Sequence, residues 1–156
     1  MKLNKKLLAK CIAIPLLVGI AASLITMGGM KAFGALNQPP LSPPMWLFPV
    51  AWTILYVLMG VASYLVYTSG ADQKQVDAAI GVYAAQLLVN FLWPTFFFNF
   101  QWYLFSFFWL LLLWVLVFIT IKRFYDISKL AGYLLLPYLA WLTFAAYLNF
   151  GVWWLN

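Results

Sequence analysis

Apolar residues in this chain run in long blocks, separated by short polar or proline-rich breaks, with no alternation and no narrow one-sided stripe. The blocks cover roughly 7–30, 45–67, 76–98, 102–121 and 130–153. Each has the length a helix needs to cross a bilayer, about 20 mostly apolar residues. The second ends at Thr68-Ser69-Gly70 and is followed by the polar segment Asp72 to Lys74. From Asp77 to Lys122 there is no charge, a stretch about twice one span, and it divides at Asn99-Phe100-Gln101. Lys122 to Lys129 reads as a basic loop. The pattern predicts an all-α integral membrane protein, a five-helix bundle forming a single domain over residues 1–156. The first block follows Lys2, Lys5 and Lys6 but is longer than the apolar region of a signal peptide, so it is read as a retained helix. Pro15 is expected to kink the first helix, and Pro137 falls inside the fifth.

Between the first two helices lies a loop, 31–44, that runs into PPLSPPMWLFPVAWTILY, Pro39 to Tyr56. Two Pro-Pro pairs cannot sit within a helix, and each pushes the preceding residue towards extended backbone. A stiff loop at the mouth of an apolar helix suits a lid over a cavity.

Composition sharpens this picture. The chain is 67% hydrophobic and 8% charged, against about 25% charged in soluble domains, so lipid must be its solvent. Lys2, Lys5, Lys6, Lys10, Lys74, Lys122, Arg123 and Lys129 share one side of a five-helix topology, and Lys31 alone falls on the other. By the positive-inside rule the amino terminus is cytoplasmic, and the carboxyl terminus and the lid face outward. The net charge of +6 is thereby a topology signal, not a nucleic-acid surface. There is no His and no Glu, and the acids are Asp72, Asp77 and Asp126, all at loops or helix edges. That excludes ordinary acid–base catalysis and a His/Cys/carboxylate metal site. Cys11 is the single cysteine, so no internal disulfide forms. The spans lack the buried charges that ion-coupled transporters carry.

The few polar groups in the spans stand among aromatics. Asn90, Trp93, Pro94 and Phe97 share a helix face by their spacing, as do Trp52, Tyr56 and Met59, and Trp141, Ala145 and Leu148 or Asn149. Interfacial belts account for Trp102, Trp153 and Trp154 at helix ends. Trp52 and Trp141 lie deeper. Aromatic faces with a few polar tips suit a flat, apolar ligand. The small pairs Gly19/Ser23 and Gly81/Ala85 allow close helix approach, within one bundle or, at Gly81/Ala85, between two copies.

The motif P-P-x-W-x-F-P-x-x-W-T-x-L-Y, Pro43 to Tyr56, resembles the signature of the TspO/MBR family of tryptophan-rich sensory proteins. Asn90 with Trp93 and Phe97, and LPYLAWLTFAAYLN from Leu136 to Asn149, resemble its other two blocks, in the same order. The resemblance implies a five-helix bundle, commonly a homodimer, whose lidded cavity takes porphyrins such as protoporphyrin IX, haem, sterols and other flat ligands. It implies ligand contacts at Trp46, Phe48, Pro49, Ala145 and Leu148. Trp52 and Trp141 match the tryptophans tied to light- and oxygen-dependent porphyrin breakdown in some bacterial members. No Lys or Arg follows Lys129, so the sterol motif of animal members is incomplete and a porphyrin is favoured over cholesterol. The short basic start and the orientation fit a bacterial plasma membrane. The leading expectation is a membrane receptor or scavenger of tetrapyrroles with no intrinsic cofactor, its other partners being lipids and a second copy. The alternatives are a photo-oxidative porphyrin-degrading enzyme and a lipid, sterol or porphyrin transporter. Without His to ligate iron, free-base porphyrin is expected to bind at least as well as haem.

Overall fold

The computed structural model describes residues 2–156. It contains α1 (Lys5–Phe33), α2 (Leu47–Tyr67), α3 (Gln73–Pro94) continued by a π-helical turn (Thr95–Asn99), α4 (Tyr103–Ile127), α5 (Lys129–Leu134) and α6 (Leu136–Leu155). The α5–α6 pair forms one stretch, so among the described residues five stretches are long and apolar enough to cross a membrane.

Several boundaries differ from the sequence expectation, each for a local reason. Helix α1 starts at Lys5, because the Asn4 side chain caps it by accepting from the Leu7 N–H at 3.1 Å. Helix α4 runs on to Ile127, so Lys122 and Arg123 lie on a helix and not in a loop. Its last turns are held by Phe124, fully buried against Tyr83 with ring centroids 5.5 Å apart. The expected basic loop shrinks to Ser128. Its N–H closes α4 on the Phe124 carbonyl, and its hydroxyl accepts from Ala131 to start α5. The expected fifth helix is broken at Leu135, whose N–H turns back to the Gly132 carbonyl. Pro137 thus sits in the first turn of α6, where a missing N–H costs nothing, and not in the middle of a continuous helix. The lid occupies 34–46, shifted two or three residues towards the carboxyl end.

Two prolines shape the wall of the bundle. Pro15 cannot donate to the Cys11 carbonyl one turn back, and that carbonyl meets α2 at Gly60. A Cβ on Gly60 would lie 2.7 Å from the Cys11 oxygen and in steric conflict with the Ile12 Cα, so only glycine allows the two backbones to cross there. Pro94 likewise removes a donor from α3, and the helix widens into the π turn, with the Phe100 N–H bonded to the Thr95 carbonyl at 3.0 Å. This turn carries Phe97 inward and docks on α1, where Asn99 Nδ2 donates to the Ile25 carbonyl at 3.1 Å.

The helices close a ring. Helix α1 packs on α2 and on the π turn, α2 on α5, and α4 on α3, α5 and α6. The core under the ring includes Met59, Ala62, Val66, Ala79, Leu113, Phe124 and Leu142, each at most 1% exposed. Because α2 meets the short α5 while α6 leans on α4, the break at Leu135 lets α2 and α6 part towards the lid.

Candidate functional site

The space left by that parting is a cavity of about 320 Å³ between α1, α2, α3, α4 and α6, roofed by the lid. Its volume falls in the range of small-molecule sites, about 300–1,000 Å³. Phe48, Pro49, Trp52 and Tyr56 line it from the start of α2, spaced as one helical face, and Met45 from the end of the lid. Trp46 is 66% exposed and lies off that face, because α2 begins at Leu47 and places residue 46 about 100° around the axis. The expectation that Trp46 lines the cavity is thus not met. Asn90, Trp93 and Phe97 come from α3 and the π turn, and Trp141, Ala145, Leu148 and Asn149 from α6. These expected residues all meet in the one cavity.

Trp52 stands at its centre. It stacks on Tyr56 at 5.6 Å between centroids and meets Trp141 edge-on at 6.4 Å and Tyr138 at 6.1 Å. Phe48 covers Trp141 from the lid side at 6.0 Å. Such edge and offset contacts fix ring orientation, leaving flat walls.

Below the rings lies a neutral polar floor. The Tyr56 hydroxyl donates to Asn90 Oδ1 at 2.9 Å, Asn90 Nδ2 donates to the Tyr138 oxygen at 2.7 Å, and the Tyr138 hydroxyl donates to Gln86 Oε1 at 2.7 Å. On the opposite wall Trp93 Nε1 donates to Asn149 Oδ1 at 3.1 Å, and Asn149 Nδ2 to the Tyr103 carbonyl at 2.8 Å. Asn90 and Asn149 were expected to offer hydrogen bonds to a ligand. Each amide already accepts one bond from a neighbour and donates one, which leaves it one N–H and one lone pair. Trp141 Nε1 is buried with no acceptor.

The lid is tied to α6. Asn156 Oδ1 accepts from the Asn37 N–H at 3.1 Å, and its Nδ2 donates to the Asn37 carbonyl at 2.8 Å. Pro39 packs on Gly151, where a Cβ would come within 2.5 Å of the proline ring, and the Tyr147 hydroxyl donates to the Pro40 carbonyl at 2.6 Å. Pro39 to Ser42 form a turn in which Leu41 takes φ +69°, the position that type II turns reserve for glycine.

Sequence reasoning missed the contribution of α1, whose Gly19, Ala22, Ser23, Thr26, Met30 and Phe33 form another wall, and that of Leu110 and Leu113 on α4. The α1 signal was readable: small and polar residues recur at three- and four-residue spacing in a helix otherwise rich in Leu and Ile. Gly81 and Ala85 do not touch the cavity. Both are exposed on the outer face of α3, and a Cβ on Gly81 would meet nothing within 4 Å.

The fold and site define a helical membrane protein enclosing an aromatic, uncharged cavity under a proline-rich lid. Residues 11–155 match the TspO/MBR family. The chain is 39% identical over 157 residues to the tryptophan-rich protein TspO of Chlorobaculum tepidum, covering 99% of each chain. It is 38% identical over 153 residues to that of Archaeoglobus fulgidus, covering 97% of each. To the translocator protein of Homo sapiens it is 37% identical over 129 residues, covering 80% of this chain and 75% of the relative. The protein belongs to the TspO/MBR family and is an integral membrane protein.

Proposed function

We propose that the protein is a membrane receptor or scavenger for porphyrin-type ligands, held in the cavity between α2 and α6. The observation that carries this reading is the cavity itself: flat indole and phenol walls around Trp52 and Trp141, an internally satisfied floor, and no charged lining residue. A macrocycle offers large faces to such walls and requires no ion inside. Protoporphyrin IX or haem is the ligand class, the ring is held without an iron ligand, and a sterol is a weaker fit. We place the protein in a bacterial plasma membrane with the lid outward, since the lid end bears only Lys31 among the Lys and Arg residues. The exposed Gly81/Ala85 face of α3 is the proposed seam of a homodimer. Purification from the native membrane should give a preparation with a Soret absorbance band. A preparation that is colourless and whose tryptophan fluorescence protoporphyrin IX does not quench would exclude the reading.

The edge contact of Trp52 with Trp141 favours a second reading, light-driven porphyrin oxidation beside an oxidisable indole. The chemistry would belong to the excited porphyrin and oxygen, with the protein positioning them. Under it, Trp52→Phe and Trp141→Phe retain binding and lose photodegradation; wild-type rates in both variants would dismiss it.

A further inference from the structure

Most of the cavity's polar side chains are committed within the protein; the Ser23 hydroxyl on α1 makes no side-chain hydrogen bond among the described residues, but Ser23 is exposed. Tyr56, Asn90, Trp93 and Asn149 bond one another, Tyr138 or the backbone. The Thr26 hydroxyl donates to the Ala22 carbonyl at 2.8 Å and the Ser42 hydroxyl to the Pro39 carbonyl at 2.7 Å. The Trp141 N–H is free but sealed from solvent.

Gln38 differs from all of these. It lines the cavity from the lid, is half-buried, and makes no side-chain hydrogen bond among the described residues. The backbone on either side is pinned: Asn37 by its reciprocal pair with Asn156, Pro39 by its seat on Gly151, and Pro40 by the Tyr147 hydroxyl. A carboxamide with two donors and an acceptor oxygen is thereby held over an apolar cavity with its bonding capacity unspent. Its neighbours in sequence need that loop geometry, but nothing in the packing needs its amide.

We propose that Gln38 is the specificity-determining contact for the ligand's polar edge, donating from Nε2 to a carboxylate oxygen at the lid end of the macrocycle. The assignment rests on the porphyrin reading of the cavity and deepens it. A carboxylate accepts more strongly than a neutral carbonyl. With no cation in the lining, Gln38 provides discrimination by hydrogen bonding and not by ion pairing. The ring then stands on edge, its apolar body against the cavity walls that carry Trp52, Trp93 and Trp141 and its acid groups towards the lid.

The test is a fluorescence-quenching titration of the detergent-purified full chain with protoporphyrin IX and with its dimethyl ester, in wild type, Gln38→Leu and Gln38→Glu. Gln38→Leu should weaken the diacid about 10-fold and the ester much less. Gln38→Glu should weaken the diacid further, by placing like charges together, with the ester again little affected. Unchanged thermal unfolding midpoints separate these effects from misfolding. Diacid affinity unchanged in both variants, or equal losses for diacid and ester, would overturn the role of Gln38 alone. Wild-type protein binding neither porphyrin would overturn the cavity reading and this assignment with it.

Discussion

Replacing Asn90 by Leu tests whether the polar floor is one coupled unit. Asn90 is 4% exposed, Tyr56 7% and Tyr138 1%, so the bonds they share lie in the buried floor of the cavity. Leucine removes the acceptor of the Tyr56 hydroxyl and the donor to the Tyr138 oxygen, while Tyr138 keeps its own bond to Gln86. One buried donor is then orphaned, at a cost of about 1–3 kcal/mol. Interhelical bonds measured in bilayers lie lower, at about 0.6 kcal/mol on average, so we expect a loss of about 1.5 kcal/mol. Tyr56→Phe in the wild type should cost about 1 kcal/mol by stripping Asn90 Oδ1 of its partner. In the Asn90→Leu background the same change should restore about 1 kcal/mol, because it deletes the orphaned hydroxyl itself. The sign of the Tyr56→Phe effect therefore reverses between backgrounds. Reversible unfolding in mixed micelles, read by circular dichroism, gives all four corners of the cycle. Additive effects, with Tyr56→Phe destabilising in both backgrounds, would refute the coupled floor.

Glycine substitutions separate crossing points from outer faces. Gly60→Ala drives a methyl into the α1 backbone and should cost about 1–3 kcal/mol, whereas Gly28→Ala on the exposed face of α1 meets open space and should gain about 0.5–1 kcal/mol from helix propensity. Thermal melting in detergent ranks the two, and equal effects would contradict the close α1–α2 crossing. Asn156→Ala removes both bonds from its side chain to Asn37. Chymotrypsin cleavage after the exposed Leu41 should then accelerate several-fold with the helices still protected, and an unchanged rate would mean that the clamp does not hold the lid. Leu41→Gly relieves a left-handed backbone that side chains rarely adopt and should stabilise the fold by up to about 1 kcal/mol in thermal melting, while a lowered midpoint would show that the turn is not strained.

Much of the bundle was legible because long apolar blocks have few solutions in lipid. The site was legible where helical spacing alone decides which side chains converge, as at Trp52 and Tyr56 or at Trp141, Ala145 and Asn149. What escaped were features set by packing between elements. The continuation of α4 depends on Phe124 finding Tyr83, and the basic residues beside it mimic a loop. The break at Leu135 comes from the course α5 takes against α2, which pattern cannot reveal, although Pro137 marked the neighbourhood. Trp46 misled because a motif identifies residues and not the helix phase at which they begin. The partners of the two asparagines also escaped, because a sequence shows bonding capacity and not how much of it neighbours have taken up. Gln38 escaped for the converse reason: only once most of the cavity's polar groups are seen to be bonded to neighbours does its free amide stand out.

The most direct test of the central claim fills the cavity. Ala145 lines it from α6, while Ala140 on the same helix is exposed on the outer surface. Protoporphyrin IX should quench the tryptophan fluorescence of wild type and Ala140→Trp with equal, saturable affinity. Ala145→Trp should retain the wild-type fold by circular dichroism and lose affinity by at least about 100-fold, the loss of the stacking and burial that hold the ring. Saturable binding of wild-type strength in a correctly folded Ala145→Trp protein would show that the porphyrin does not occupy the space between α2 and α6.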